Sequence, residues 1–557
     1  MSDALLGQAN ALLQSGRRPE ALSCYEIYLK GHPESAEAWH NLGVTLSQMG
    51  RYQRAIPAFD KALSLRPDSA HTWSTRGNAH IELRRFEEAI RDFDRALALY
   101  PDFPTTRGYR LLAKLSCCDW AGLADEKRKI AAAVKAGARV IQPFGNLMIS
   151  DDPAEQMQCA RIWNARQPAL APLWKGERYE HDKLRIAYLS GDFRVHPVAI
   201  LIAGVLEHHD RNRFHIVAVS YGPDDKSAMR RRISSGADEF LDVRGNTDGE
   251  VADLLYSKKI DIAVDLMGLT GDCRNGILAR RPAPVQLNHL GFPGTTAMAQ
   301  IDYLIADRTV IPDHERQHYS EQVVYLPNCY LPSDSKRSVA AQTPSRSQAG
   351  LPETGFVFAA FNNSYKFNPE TFTVWMRILA AVSGSVLWLS QPGASAIRNL
   401  QCEARNRGLD PGRIVFAPFL ESNEDHLARN SLADLFLDTL PCNAHTTASD
   451  ALWAGLPVLT LEGTTFAGRV AASMLRAVGL EELIAHSVAD FESLAIGYAR
   501  DADVLKLIKQ KLRQNRNTHP LFDTRAYTAG LERAFERMVE RQRRGLRPEA
   551  FAVEAPR

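Results

Sequence analysis

The sequence lacks the cysteine spacing of a metal site and lacks long apolar runs. Its eight cysteines are scattered and include no C-x-x-C pair, which argues against a zinc site or a disulfide scaffold and favours a reducing compartment. No stretch approaches the roughly 18 consecutive apolar residues that a transmembrane helix needs. The N-terminus has no basic segment followed by a long apolar core. We therefore expect no signal peptide, no membrane span and a cytoplasmic protein.

An excess of charge of one sign is also missing. The 67 Lys and Arg residues nearly balance the 65 Asp and Glu residues, and the net charge of +2 gives no bulk attraction to nucleic acid or to an anionic membrane. The motifs G-x-S-x-G, G-K-[ST] and G-x-G-x-x-G do not occur, and H-E-x-x-H occurs once, as HERQH at residues 314–318. The absent motifs disfavour a serine esterase, a P-loop ATPase and a nicotinamide dehydrogenase.

The N-terminal part of the chain repeats with a period of 34 residues. Residues that recur at this spacing are Pro33, Pro67 and Pro101; Ala21, Ala55 and Ala89; Tyr25, Phe59 and Phe93; Trp39 and Trp73; and Gly43 and Gly77. Small residues where helices cross, aromatic residues between them and a closing proline are the tetratricopeptide pattern of paired helices. We assign three clear repeats to residues 1–104, with each hairpin breaking near Gly16, Gly50 or Arg84, and degenerate repeats with a helical connection to 105–182.

Such repeats stack into an α-solenoid whose concave face binds extended peptides or proteins. Asn41 carries an amide that can both donate to and accept from a peptide backbone. Thr75 holds the same position one repeat later, so no amide ladder is expected along the groove. The alternative is that the repeats serve only as a scaffold for folding or for a homodimer.

The rest of the chain alternates apolar runs with helical patterns, which predicts two doubly wound α/β domains. We place the first at residues 183–332, including a strand over 283–294, and the second at 351–557 with C-terminal helices. The polar stretch 333–350 is interpreted as a linker, and the tail beyond Arg544 as frayed. Because ligands of open α/β sheets bind at the carboxyl ends of strands, the site is expected between the two domains.

The stretch PCNAHTTASDALWAG, residues 441–455, lies between two apolar strands. Thr446 and Thr447 fall at the predicted start of a helix, where free N–H groups favour a phosphate. Asp450 shares their helix face and could hold ribose hydroxyls, with His445 beside the site. The alternative is that one threonine is an N-cap and Asp450 a first-turn partner of the helix dipole.

Other polar residues lie near predicted strand ends. Lys366 could neutralise a departing diphosphate, and His196 could orient a substrate or act as a base, although a solvated lysine and a capping histidine are the commoner fates of such residues. His426 and Arg429 form a basic pair on one helix. Four acids, which no local feature ranks, are Asp192, Asp261, Asp265 and Asp307.

Together these features resemble the O-GlcNAc transferase family over essentially the whole chain. The motifs that carry the resemblance are SGDFRVHP, RRPAPVQ, LGFPGTT followed by IDY, FNNSYK, SVLWL, CNAHTT, DALWAG and RVAAS. The resemblance implies tetratricopeptide repeats followed by a GT-B region of two Rossmann-like domains, the second binding a UDP-sugar. It also implies inverting transfer of GlcNAc from UDP-GlcNAc to Ser or Thr hydroxyls of proteins, without metal or cofactor. The few repeats and the short spacing between the halves are closer to bacterial members.

The resemblance also implies roles for single positions. It places Lys366, His445, Thr446 and Thr447 at the diphosphate, Asp450 at the ribose, Leu389 at the uracil, Gly294 and Thr295 at the sugar, and Asn363, His426 and Arg429 at or beside the nucleotide. His196 matches an active-site histidine that acts as base or positions substrate.

Three positions depart from the animal members of the family. Asn363 replaces a glutamine, Asn423 replaces a lysine near the pyrophosphate, and Asp261 replaces a histidine. The lost lysine could weaken nucleotide binding or turnover, and Asp261 puts the acceptor-side chemistry in doubt. Two alternative functions therefore stay open: a nucleotide-sugar-binding scaffold with little turnover, and a transferase for another sugar nucleotide or acceptor. The residue that accepts the hydroxyl proton also stays open.

Overall fold

The protein is described by a computed structural model that covers residues 2–165 and 170–554. Its contacts divide the chain into two compact units. One comprises Met1–Gly145 with Pro392–Leu400, and the other comprises Asn146–Gln391 with Gln401–Arg557. In the described ranges, no helix is both long enough and apolar enough to cross a membrane.

The first unit is built from helix pairs. Its helices are α1 (Ser2–Gln14), α2 (Arg18–Gly31), α3 (Ala36–Gln48), α4 (Tyr52–Leu65), α5 (Ala70–Glu82), α6 (Phe86–Leu99), α7 (Thr106–Ser116) and α8 (Leu123–Lys135). The first three hairpins turn where the sequence predicts, at Gly16, Gly50 and Arg84, and all three residues adopt positive φ angles. The chain can therefore reverse within a few residues between paired helices.

The 34-residue period is repeated in the hydrogen bonds. The indole of Trp39 donates to the Pro33 carbonyl at 2.9 Å, and the indole of Trp73 donates to the Pro67 carbonyl at the same distance. Glycine in the second and third repeats makes room for an aromatic ring, because a Cβ would lie 2.5 Å from Phe59 at Gly43 and 2.6 Å from Phe93 at Gly77. These contacts explain why tryptophan, proline, glycine and phenylalanine recur in one register.

The amide of Asn41, which we expected to grip a peptide, is paired inside the repeats. Its Nδ2 donates to Asn10 Oδ1 at 3.0 Å, and the hydroxyl of Tyr25 donates to the same oxygen at 2.6 Å. A bound peptide would have to share or displace this pairing. Further along the first unit, Asn399 donates to the Cys117 carbonyl at 2.9 Å, which attaches residues 392–400 to α7.

Fourteen strands form two sheets within the described residues. They are β1 (Leu184–Ser190), β2 (Phe214–Ser220), β3 (Glu239–Asp242), β4 (Ile262–Asp265), β5 (Val285–Asn288), β6 (Tyr303–Ala306), β7 (Gln322–Tyr325), β8 (Val357–Ala360), β9 (Val386–Ser390), β10 (Ile414–Ala417), β11 (Leu435–Leu437), β12 (Val458–Leu461), β13 (Ile484–Ala485) and β14 (Phe551–Ala552).

The remaining helices precede or connect these strands. They are α9 (Pro143–Leu147), α10 (Pro153–Asn164), α11 (Pro197–His208), α12 (Ala228–Ser235), α13 (Asp248–Ser257), α14 (Gly276–Ala279), α15 (Pro369–Ala381), α16 (Ala394–Asn406), α17 (Asn423–Arg429), α18 (Thr446–Ala454), α19 (Val470–Ala477), α20 (Val488–Arg500), α21 (Ala502–Asn515) and α22 (Thr524–Arg543).

Both sheets are parallel and doubly wound. The first has the order β14-β7-β6-β5-β4-β1-β2-β3, and the second has the order β10-β9-β8-β11-β12-β13. The strand order reverses between β1 and β4 in the first sheet and between β8 and β11 in the second. Ligands of such sheets bind at these switch points, outside the carboxyl ends of the strands. The predicted fold class, tetratricopeptide repeats followed by two Rossmann-like sheets, is confirmed.

Two expectations about strands were wrong. The strand expected over 283–294 ends at Asn288, because Leu290 adopts a positive φ of 77° that turns the chain out of the sheet. The tail expected to fray forms β14, which pairs with β7 with Phe551 opposite Val324. The Arg537 guanidinium lies 4.3 Å from the centre of the Phe551 ring, so this side chain is packed rather than solvated.

The segment 333–350, interpreted from its composition as a linker, begins with buried residues. Ser333, Asp334 and Arg337 are all buried. Asp334 accepts hydrogen bonds from Arg232 on α12, the shorter at 2.6 Å. The start of this segment is therefore fixed to the first sheet's helices before the chain enters β8.

Candidate active site

The site begins at the switch point of the second sheet, where two loops are hydrogen bonded to each other. Asn362 follows β8, and Thr439 lies just after β11. The amide of Asn362 donates to the Thr439 hydroxyl at 3.1 Å, and its oxygen accepts from the Thr447 hydroxyl at 2.8 Å. Asn362 thus joins both loops to the first turn of α18. Its neighbour Asn363, the residue predicted to lie at the nucleotide, is exposed and donates to the hydroxyl of Tyr365 instead.

Lys366 lies in the turn Ser364–Lys366 that follows β8. Its Nζ donates to the Asn443 carbonyl at 2.5 Å, which aims the ammonium group at the loop before α18. The charge reaches the neighbouring groups: it opposes the rise that burial causes in the pKa of Asp438 and adds to the fall that burial causes in the pKa of His445. The structure therefore brings Lys366 to the loop that contains the histidine–threonine–threonine sequence, although the two are far apart in the chain.

Helix α18 begins at Thr446, and His445 precedes it without a side-chain cap on the helix. Its first N–H groups are left for another acceptor, and the helix dipole favours a negative charge there. The interpretation of Thr446 or Thr447 as an N-cap is therefore wrong. An uncapped helix start beside a lysine is an arrangement that binds phosphate.

His445 is neutral in this setting. Burial, reinforced by the charge of Lys366, lowers its pKa to about 3. Its Nε2 lies 3.2 Å from the Ala467 carbonyl, which can only accept, so the ring proton is on Nε2. Nδ1 is left unprotonated until an anion nearby raises the pKa.

Asp438 fixes the loop between β11 and α18 and was not singled out from the sequence. It accepts hydrogen bonds from the Thr439 and Ala444 N–H groups at 2.7 and 2.6 Å and from the Thr460 hydroxyl at 2.7 Å. Burial raises its pKa to about 6, against these hydrogen bonds. Its position directly after an apolar strand is the only signal that could have identified it.

Asp450 is buried one turn into α18 and pairs with Arg337, whose Nη1 donates to Oδ1 at 2.7 Å. Burial raises the pKa of Asp450 to about 6, although the arginine opposes the rise. The other carboxylate oxygen, Oδ2, lies 3.9 Å from Nε2 of His426. The interpretation of Asp450 as a first-turn dipole partner is wrong, because its partner is a guanidinium from another segment.

The basic pair on α17 is confirmed as a contact. Nη2 of Arg429 lies 2.7 Å from Nδ1 of His426. Burial, with the charge of Arg429 beside it, lowers the pKa of His426 to about 4, so this ring is neutral. Burial also lowers the pKa of Arg429 to about 10. Among the described residues, no carboxylate lies within 4.0 Å of Arg429. A buried cation without a carboxylate is a natural partner for an anionic ligand.

Three other residues that were predicted to contact the donor, Leu389, Gly294 and Thr295, are buried. Leu389, near the end of β9, is fully buried and lies in register between Ala360 on β8 and Phe416 on β10, so its side chain is not exposed to a base in this structure. The hydroxyl of Thr295 donates to buried Glu321 at 2.6 Å, and Gly294 is buried in the same loop. The Thr295 side chain thus supports the loop, and a sugar contact at Gly294 would come from its backbone.

His196 follows β1 at the switch point of the first sheet and stands before α11. About a third of its side chain is exposed, and its Nδ1 lies 3.3 Å from Oδ2 of Asp192. The same nitrogen accepts from the Val198 N–H at 3.3 Å. Burial lowers the pKa of His196, while Asp192 opposes that change. Of the four candidate acids, Asp192 is therefore the one that lies beside His196.

The other three acids have structural partners. Asp265 accepts from the Met267 and Gly268 N–H groups, and Asp307 accepts from the Ser473 hydroxyl at 2.6 Å. Asp261 precedes β4 and accepts from the Arg185 N–H at 2.9 Å. It therefore lies at the amino edge of a parallel sheet, whereas His196 lies at the carboxyl edge. This position does not favour a direct part for Asp261 in acceptor chemistry, and the expected effect stays a prediction.

Two Rossmann-like sheets, with Lys366 and the uncapped start of α18 at the switch point of the second, match the GT-B class of fold. The chain belongs to glycosyl transferase family 41, whose profile matches residues 171–342 and 333–531. A tetratricopeptide repeat profile matches residues 6–70, 41–104 and 74–113. The family resemblance inferred from the sequence is thereby confirmed.

Named relatives agree with this membership. The chain is 35% identical over 471 residues to the probable UDP-N-acetylglucosamine–peptide N-acetylglucosaminyltransferase SEC of Arabidopsis thaliana, covering 80% of this chain and 48% of that protein. It is 26% identical to the UDP-N-acetylglucosamine–peptide N-acetylglucosaminyltransferase of Caenorhabditis elegans, covering 67% and 42%. The chain thus spans about half the length of the curated relatives it matches.

A solved structure matches nearly end to end. It is a lysine-to-methionine mutant of the O-GlcNAc transferase of Thermobaculum terrenum, with a TM-score of 0.73, 28% sequence identity and coverage of 98% of both chains. The order of repeats followed by two sheets is therefore shared with a bacterial protein of similar extent.

Proposed function

We propose that this protein is an inverting glycosyltransferase that moves GlcNAc from UDP-GlcNAc to Ser or Thr hydroxyls of polypeptides. The observation that carries the proposal is the meeting of the Lys366 ammonium group with the uncapped start of α18. A diphosphate fits that position because both features favour anions. The names of the relatives supply the donor and acceptor, and family membership links them to this chain.

The transfer needs one bond formed and one broken. The acceptor oxygen attacks the anomeric carbon on the face opposite UDP, the bond from that carbon to the UDP oxygen breaks, and UDP departs with the bonding pair. Lys366 and the N–H groups at Thr446 and Thr447 stabilise the charge that develops on the leaving diphosphate. This role is the one that a divalent cation fills in other transferases, so we propose transfer without metal or cofactor.

The hydroxyl proton has three candidate acceptors: His196, an acid, and the donor phosphate itself. His196 stands at the carboxyl edge of the first sheet with a carboxylate beside its Nδ1. A proton on Nδ1 that faces Asp192 leaves Nε2 free to accept, which is the tautomer a general base needs. We therefore propose His196 as the first residue to test.

The tetratricopeptide repeats are proposed to bind the acceptor polypeptide, because stacked repeats of this kind form extended concave binding surfaces. A homodimer formed through the repeats is the alternative use of the same surface. The eight cysteines are all free thiols, which favours a reducing compartment, and we propose the cytoplasm.

The direct test is incubation of the full chain with UDP-GlcNAc and a library of Ser- and Thr-containing peptides, with a chelator present and absent. Mass spectrometry of the peptides should show the addition of one N-acetylhexosamine under both conditions. Loss of transfer with chelator, restored by added Mg²⁺ or Mn²⁺, would contradict the metal-independent proposal.

The same assay, extended with other UDP-sugars and with small hydroxyl compounds, separates the alternative functions. Hydrolysis of UDP-GlcNAc without peptide labelling would favour a nucleotide-sugar-binding scaffold with little turnover, which the substitution at Asn423 motivates. Stronger competition by another UDP-sugar than by UDP-GlcNAc would favour a transferase with a different donor. Labelling that proceeds equally well on peptides and on small hydroxyl compounds would argue against a polypeptide acceptor.

A further inference from the structure

A buried arginine contacts the carboxylate that the proposed function places at the ribose. Arg337 donates from Nη1 to Asp450 Oδ1 at 2.7 Å and from Nη2 to the Ser449 hydroxyl at 3.2 Å. Only 3% of its side chain is exposed. Its guanidinium lies 5.3 Å from the centre of the Trp453 ring, and the Trp453 indole donates to the Arg337 carbonyl. Arg337 thus contacts three residues of α18, Ser449, Asp450 and Trp453.

The segment before Arg337 is anchored to the first sheet's helices. Nε of Arg337 donates to the Asp334 carbonyl at 3.0 Å. The Asp334 carboxylate is held by Arg232, which also pairs with Glu207 near the end of α11. Thr524 accepts from the Ser335 N–H at 3.1 Å. Because each of these groups is tied down, the guanidinium reaches α18 from a rigid support rather than from a loose linker.

This pairing uses one oxygen of Asp450 and leaves the other open. In the part of the chain that the structure describes, the groups facing Oδ2 are His426 at 3.9 Å and, behind it, Arg429. Two vicinal hydroxyls of a ribose can both donate to a carboxylate oxygen that is held in place. The charge of Arg337 also opposes the rise in the Asp450 pKa that burial causes. Both effects favour an ionised, oriented acceptor near neutral pH.

We propose that Arg337 is a positioning residue for the nucleotide: it fixes Asp450 through Oδ1 so that Oδ2 accepts hydrogen bonds from the ribose. This inference rests on the proposed function and deepens it, because it gives the segment between the sheets a part in donor recognition. It separates the nucleoside half of the site, which depends on Arg337, from the diphosphate half at Lys366, which does not.

The test measures the affinities of UDP and of inorganic pyrophosphate for the full chain as a function of pH. Arg337→Met should weaken UDP binding about tenfold near neutral pH and leave pyrophosphate binding within about twofold of the wild type. Without the guanidinium the pKa of Asp450 should rise further, so the loss of UDP affinity on acidification should begin at a higher pH. Arg337→Lys, which keeps the charge but not the fork, should give an intermediate loss.

A double-mutant cycle supplies the matched control. Asp450→Asn should weaken UDP binding alone, and adding Arg337→Met to it should change UDP affinity by less than about twofold. The double variant removes both partners of a buried ion pair and leaves no unpaired buried charge. We therefore expect it to fold even if a single variant does not. Retained pyrophosphate binding reports an intact diphosphate site in every variant.

Two results would overturn the assignment of Arg337 while UDP still binds the wild type. One is an equal loss of UDP and pyrophosphate affinity in Arg337→Met and in Arg337→Lys, which indicates a purely structural role. The other is an undiminished effect of Arg337→Met in the Asp450→Asn background. Failure of the wild type to bind UDP would instead overturn the proposed donor, and this inference with it.

Discussion

The carboxylate of Asp192 lies 3.3 Å from Nδ1 of His196, four residues further along the chain. The same nitrogen lies 3.3 Å from the Val198 N–H. These two contacts require opposite protonation, since a protonated Nδ1 donates to Asp192 and an unprotonated Nδ1 accepts from Val198. The balance between them decides whether Nε2 is free to accept a proton from an acceptor hydroxyl.

Asp192→Asn should therefore lower kcat about tenfold or more, since it removes the group that favours the Nδ1–H tautomer. Asp192 raises the pKa of His196, which burial lowers, so the variant should also move the acid limb of the kcat/KM profile to lower pH. UDP affinity should stay near the wild-type value. An acid limb that does not move would contradict a basic role for His196 and favour proton transfer to the donor phosphate.

Asp438→Asn should change how stability depends on pH. Burial raises the folded-state pKa of Asp438 to about 6 from its ordinary value of 3.8, so the folded state binds the proton more tightly than the unfolded state. Wild-type stability should therefore fall, through this group, as pH rises from about 4 to about 6.

The asparagine cannot ionise and should escape that fall. It should gain about 1–3 kcal/mol relative to the wild type between acidic and neutral pH. Thermal unfolding of both proteins across this range measures the difference, and other carboxylates cancel in the comparison. Unfolding curves of wild type and variant that run parallel with pH would show that Asp438 does not titrate as described.

Gly77→Ala should destabilise the tetratricopeptide repeats. The new Cβ would lie 2.6 Å from Cε1 of Phe93, a fully buried ring, and relieving such overpacking costs about 1–3 kcal/mol. Gly7→Ala is the matched control, since that helical position is open within 4 Å and alanine should stabilise it by about 0.5–1 kcal/mol. Circular dichroism melts of the full chain should separate the two variants in opposite directions, and equal melts would contradict the packing account.

The periodic parts of the fold could be predicted from the sequence because their signals are local. The 34-residue repeat reflects helix contacts that recur along the chain. The apolar runs of β1, β8 and β11 reflect strands that are buried on both faces. The edge strands β3 and β14 were missed. Both are short, and β14 owes its existence to pairing with β7, more than two hundred residues earlier.

Site residues could be predicted where the signal lies close by in the sequence, and not where it depends on a distant partner. Lys366 lies in the connection that follows β8, and the threonines of α18 end the loop that follows β11, so parallel-sheet geometry alone places them at a ligand edge. Arg337 could not be recognised, because it lies in a polar stretch and its partner Asp450 is 113 residues away. Asn362 was passed over for its neighbour, since sequence does not reveal which of two adjacent asparagines faces the buried loop.

The most direct test of the account is calorimetric titration of UDP into the wild type, Lys366→Ala and Lys511→Ala, with a chelator throughout. Lys511 is the control, because it pairs with Glu482 on the surface of the same unit. We predict metal-free binding to the wild type and to Lys511→Ala, weakened at least about tenfold in Lys366→Ala. No binding to the wild type, or equal binding to all three proteins, would contradict the assignment of the diphosphate to Lys366 and the start of α18.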